Sequence, residues 1–171
     1  MKKSLIISGS NSELAIEVIK KLEKKYELIF LYHSKKPINQ KLKKKNLIKH
    51  TVNDDVANLS KKINKKNNNI HGILHFNGLH NFNTFKSISK KDFTDTFEVN
   101  CLTFIKLIKL SYNLENIKSI VSISSVSSKK GNKGISLYSS SKAALNNLIK
   151  SASLELAGKN IRVNNIILGH I

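Results

Sequence analysis

Residues 4–22 read SLIISGSNSELAIEVIKKL, and the change of pattern inside this stretch sets the fold. Leu5-Ile6-Ile7 is a continuous apolar run of strand type. Turn formers break it at Ser8-Gly9-Ser10-Asn11-Ser12, and Leu14, Val18, Ile19 and Leu22 follow at helical spacing. The unit is strand, turn, helix. Gly9 permits a sharp turn, Ser10, Asn11 and Ser12 supply hydroxyl and amide donors, and a helix start offers N–H groups and partial positive charge to a pyrophosphate. Ala15 is small enough for the helix to lie close on a sheet. Glu13 is the awkward neighbour, because its carboxylate repels phosphate unless it faces solvent.

The same alternation continues along the chain. Residues 28–32 form a second strand, with Pro37, the only proline, in the connection after it. A third strand is expected over 47–52, and Val56, Leu59 and Ile63 mark a helix. Residues 70–76 form a strand ending at Asn77-Gly78, and a long helix is expected over 90–114. A strand over 117–124, a polar loop through Gly131 and Gly134, a helix over 136–157 and a last strand over 161–168 complete the pattern. Strands that are continuous apolar runs, alternating with helices, belong to a parallel sheet covered on both faces. The expected architecture is therefore a doubly wound, three-layer α/β/α sheet in a single domain, residues 1–171.

Composition narrows the function. A chain of 171 residues, 40% hydrophobic, can bury about 70% of its unfolded surface and build a real core. Its single cysteine, Cys101, cannot form an internal disulfide, and no Cys/His cluster has metal-ligand spacing. A reducing cytoplasm and no metal follow as expectations. The apolar run after Met1-Lys2-Lys3 stops at Ser8-Gly9, too short for a signal peptide or membrane span. The formal charge of +19 invites a nucleic-acid reading, but Arg162 is the only arginine among 30 basic residues. Phosphate and base readers recruit arginine for its planar fork, so a dispersed, solvated lysine surface without specific nucleic-acid binding is expected.

In a doubly wound sheet, ligands sit beyond the carboxyl ends of the strands. An acid at the end of the second strand would hold the ribose hydroxyls of NAD. This chain has Tyr32-His33-Ser34-Lys35-Lys36 there, which favours the 2′-phosphate of NADP(H) over NAD(H). Further on, Ser122-Ile123-Ser124-Ser125 ends a strand, and Tyr138 and Lys142 follow four residues apart on the next helix. That spacing puts both on one helix face. A phenol titrates near pH 10, and an ammonium within about 4–6 Å lowers that value, making Tyr138 a candidate general acid/base. Ser125, at a strand end, can donate a hydrogen bond to a ligand carbonyl.

In this order, these features resemble the short-chain dehydrogenase/reductase family, particularly its β-ketoacyl carrier-protein reductase-like members, over residues 3–171. The resemblance implies a Rossmann-like fold. The family's TGxxxGxG turn corresponds to Ser8 through Ala15, with Gly9 kept, Glu13 and Ala15 replacing two glycines, and Leu14 between them. Its acidic adenine-contacting residue corresponds to Asp55, or to Asp54. The NNAG segment corresponds to Phe76-Asn77-Gly78-Leu79, whose Asn77 and Gly78 allow close approach to a nicotinamide ribose. The helix asparagine corresponds to Asn100, the serine to Ser125, and YxxxK to Tyr138 and Lys142.

The resemblance implies hydride transfer between a nicotinamide and a carbonyl or secondary alcohol carbon. Tyr138 would protonate the alkoxide, Ser125 would polarise the carbonyl, Lys142 would hold the ribose and lower the tyrosine pKa, and Asn100 would position a water. Tyr138 and Lys142 thus count among the cofactor-binding residues with Gly9, Ser10, Asn11, Ser12, Leu14, His33, Ser34, Lys35, Asp55, Asn77 and Gly78. The family's Val-Asn-x-Ile-x-Pro-Gly strand appears as Val163 through Gly169, without the substrate loop and last strand that follow in the family. The expected protein is an NADP(H)-dependent reductase of a small or carrier-linked carbonyl compound, homo-oligomeric if full-length. The alternative is a C-terminally truncated, catalytically weak or inactive homologue, acting as a nucleotide-binding or interaction module.

Overall fold

The computed structural model describes residues 2–33, 46–50, 53–66 and 69–169. The strands are β1 (Ser4–Ser8), β2 (Glu27–Tyr32), β3 (Leu47–Lys49), β4 (Ile70–His75), β5 (Ser119–Ser125) and β6 (Arg162–Leu168). All five pairings are parallel, in the order β3-β2-β1-β4-β5-β6. The direction of winding therefore reverses between β1 and β4, which is where a doubly wound sheet opens a ligand crevice. Thr51 and Val52, expected at the end of the third strand, lie outside the described residues.

Side chains alternate across the sheet, and the two faces collect different cores. Ile6, Ile29, Leu31 and Ile73 join one cluster with residues of α2 (Val56–Asn64) and of the two longest later helices. Ile7, Leu28 and Phe30 join the other, with Ala15 and Ile19 of α1 (Glu13–Leu22). Helices thus cover both faces, as the continuous apolar runs require. Ala15 is fully buried against the sheet. Ser12 begins α1, its hydroxyl accepting the Ala15 N–H at 3.2 Å.

The helix expected over 90–114 is not continuous. It divides into α3 (Lys90–Phe97), a π-helical turn (Glu98–Leu102) and α4 (Thr103–Ser111). A π turn carries one extra residue, so two neighbours can face inward together. Asn100 and Cys101 do so, at 0% and 5% exposure. A polar interior explains the distortion: Asn100 bonds backbone and side-chain groups of two other segments. Finally α5 (Ser136–Ala157) spans the residues expected from the sequence and packs along β5 and β6.

Candidate active site

A cleft of about 320 Å³ opens at the carboxyl ends of β1, β2 and β4. Gly9, Ser10, Asn11 and Ser12 form one wall, ahead of α1, whose first N–H groups have no partner within the helix. Tyr32 and His33 close the side beyond β2, and Phe76, Asn77 and Gly78 form the floor beyond β4. Ser34 and Lys35 lie outside the described residues. Glu13 is exposed to solvent, at the start of α1 where its charge opposes the helix dipole favourably.

Gly9 has φ +81°, and a Cβ there would lie 2.5 Å from Asn77 N and 2.6 Å from the Phe76 carbonyl carbon. Only glycine lets the first turn touch the β4 exit. Ser8 secures that contact by donating its hydroxyl to Asn77 Oδ1 at 2.6 Å. Four other described residues assigned to nucleotide binding, Leu14, Asp55, Tyr138 and Lys142, do not line the cleft. Leu14 is half-buried in the first turn of α1, and Asp55 caps α2, accepting Ala57 N–H at 3.2 Å and Asn58 N–H at 3.1 Å.

Lys142 is 3% exposed and reaches from α5 to the strand ends. Its Nζ donates to Ile123 O at 3.0 Å and Asn77 O at 3.3 Å, and sits 5.9 Å from the Tyr138 ring centroid. Burial lowers its pKa from the usual lysine value to about 8, with Cys101 opposing the shift. The ammonium therefore persists at neutral pH. Gly78 adjoins it: a Cβ there would lie 3.5 Å from Nζ, so Lys142 borders the floor of the cleft.

Ser125 ends β5. Its Oγ accepts the Ser127 N–H at 3.1 Å, which orients the oxygen and uses a lone pair rather than the hydroxyl proton. Asn100 accepts Leu79 N–H at 2.6 Å and donates to Leu79 O at 3.2 Å and Ser141 Oγ at 2.7 Å. Ser141 in turn donates to Tyr138 O at 2.8 Å. The π turn is thus tied to the loop after β4 and to the helix that carries Tyr138. His80 lies edge-on to the Tyr138 ring, 4.6 Å between centroids.

Sequence reasoning missed several members of this region. Glu98, Val99 and Thr103 line the cleft because the π turn brings them there. Leu31 and His50 line it from β2 and just beyond β3. Buried His75 beneath the floor was also missed, because a single imidazole within an apolar strand looks like any other strand residue. Among the described residues no cluster could hold a metal ion.

A family model described as short chain dehydrogenase matches residues 3–171. No curated protein matches the sequence. Among solved structures, ElxO with NADP bound is 22% identical, with TM-score 0.81, covering 99% of this chain and 74% of that one. An oxidoreductase from Brucella ovis, of the short-chain dehydrogenase/reductase family and in complex with partially ordered NAD, is 19% identical with TM-score 0.80, covering 100% and 85%. The ligand-free aldohexose dehydrogenase of Thermoplasma acidophilum is 22% identical with TM-score 0.85, covering 98% and 66%. At these identities the structures share the fold with this chain.

Proposed function

Because the chain belongs to the short-chain dehydrogenase family, we propose that it interconverts a carbonyl and a secondary alcohol using NADP(H), with Tyr138 as general acid/base. The observation that carries the reading is Lys142, a buried ammonium held by the Asn77 and Ile123 carbonyls, beside Tyr138 and against Gly78 of the cleft floor.

The residues fit a dinucleotide. The turn at 9–12 and the start of α1 suit a pyrophosphate, Gly78 leaves room against Lys142, and among the described residues no acid at the end of β2 opposes a 2′-phosphate. Glu98 lines the cleft and disfavours phosphate beside itself, so the phosphates belong at the turn ahead of α1. Asp55 can reach an adenine only as a group already engaged in capping, and Leu14 only through its backbone.

When bound, the nicotinamide supplies or accepts the hydride. Ser125 donates its hydroxyl to the carbonyl oxygen, drawing charge from the carbon. Tyr138 gives its proton to the same oxygen, and the Lys142 ammonium stabilises the negative charge left on the phenolic oxygen. Two of the three Lys142 N–H donors are held by carbonyls, leaving one for a ribose hydroxyl. Asn100 holds the Leu79 backbone and, through Ser141, the start of α5, and so positions the helix turn that carries Tyr138.

A small or carrier-linked carbonyl substrate, as for 3-oxoacyl reductase-like members, is supported by exposed Phe82 and Phe85 beyond the β4 exit and by a net charge of +19 that attracts acidic carriers. A homo-oligomer is supported by the apolar groove between α4 and α5, where Phe104, Ile108, Tyr112 and Leu148 meet. Among the described residues no helix is long and apolar enough to cross a membrane, and the buried thiol of Cys101 suits the cytoplasm. Titration of NADPH and NADH, followed by nucleotide fluorescence, tests the cofactor: tighter binding of NADPH is expected, and equal or reversed affinities would contradict the preference. Binding without turnover of any carbonyl compound would leave the alternative, a nucleotide-binding module.

A further inference from the structure

His75, the last residue of β4, takes no part in the proton transfer above, yet it is fully buried directly beneath the cleft floor. Its Nδ1 lies 2.8 Å from Ser122 Oγ and its Nε2 3.1 Å from Thr103 Oγ1. The Thr103 hydroxyl donates to Val99 O at 2.5 Å, so toward His75 it can only accept. The imidazole is therefore the Nε2–H tautomer, with Nδ1 accepting from Ser122. Burial and the nearby Lys142 charge lower its pKa from 6.5 to about 3, which keeps it neutral.

The backbone pairing of β4 with β5 ends at His75 and Ser122. Immediately beyond that pair come the two carbonyls, Asn77 O and Ile123 O, that receive Lys142. A side-chain bond at the last rung thus fixes the gap that the ammonium must span. The other imidazole nitrogen fixes Thr103, which lines the cleft.

We propose that His75 is a positioning residue: through Ser122 it sets the spacing of the strand ends that hold Lys142, and through Thr103 it ties them to the cleft wall. This rests on reading the cleft as the nucleotide site.

Nitrogen-15 spectra of the native, histidine-labelled chain give the first test. The expected result is a single Nε2–H tautomer at His75, unchanged from pH 7 to pH 5, whereas an Nδ1–H tautomer or an imidazolium would overturn the inference. The second test follows the side-chain nitrogen resonance of Lys142 in Ser122→Ala and Ser122→Thr. Ser122→Ala should shift it and lower kcat by about tenfold or more, with a smaller loss of NADPH affinity, and Ser122→Thr, which keeps the hydroxyl, should restore the Lys142 signal and kcat. An unmoved Lys142 signal in a folded Ser122→Ala chain would overturn the proposal. If the native chain shows the Nε2–H tautomer and Ser122→Ala shifts the Lys142 signal, but the native chain binds no NADPH, the positioning role stands and the nucleotide reading falls.

Discussion

Lys142 is the side chain on which the proposed chemistry turns. Its pKa lies near 8 in the folded chain and near the ordinary lysine value of 10.5 when unfolded. Between those values the unfolded chain binds more protons, so this group's contribution to stability increases as pH rises from about 8 to 10.5. Turnover should move the other way, falling as pH passes about 8 and the ammonium is lost. Denaturant unfolding and kcat measured across that window check both signs, and Lys142→Met should flatten the stability slope. Gly9 gives a second residue-scale outcome. With φ +81° and a Cβ clash at 2.5 Å against Asn77 backbone, Gly9→Ala should cost at least about 1–3 kcal/mol in chemical denaturation. A neutral result would mean that the first turn does not rest on the β4 exit.

At the scale of the element, the α2 cap separates structure from binding. Asp55→Ala should lose about 0.5–2 kcal/mol of stability, whereas Asp55→Asn, itself a good cap, should keep it. Unchanged NADPH affinity in Asp55→Asn is expected if the carboxylate serves the helix, and a weakened affinity would assign it to the adenine. The elements themselves were largely legible in the sequence. The expected helix over 136–157 coincides with α5, because its flanking loop glycine and long apolar period leave no rival pattern. The Tyr138 and Lys142 spacing was equally plain, since a helix places residues four apart together. The π turn was not legible. Its cause is tertiary: Asn100 turns inward to bond Leu79 and Ser141, and nothing in residues 90–114 records those distant partners. Glu98, Val99 and Thr103 were hidden for the same reason. The bonds made by His75 were hidden because its partners, Ser122 and Thr103, lie far along the chain.

For the molecule as a whole, two features act beyond the site. The parallel order, with its reversal between β1 and β4, gathers turns from distant parts of the chain around one crevice. The net charge of +19 gives the whole molecule a positive field, so association of the anionic nucleotide proposed for the crevice should slow markedly between about 0.01 and 0.15 M salt while bound-state contacts change little. Stopped-flow association rates check this, and a salt-independent rate would show that the lysines are too dispersed to steer. The most direct test of the whole reading is NADPH oxidation with a panel of ketones, followed by near-ultraviolet absorbance in the native chain and in Tyr138→Phe. The expected result is turnover in the native chain that falls at least about a hundredfold in Tyr138→Phe with NADPH binding retained; equal turnover in the two chains would contradict it.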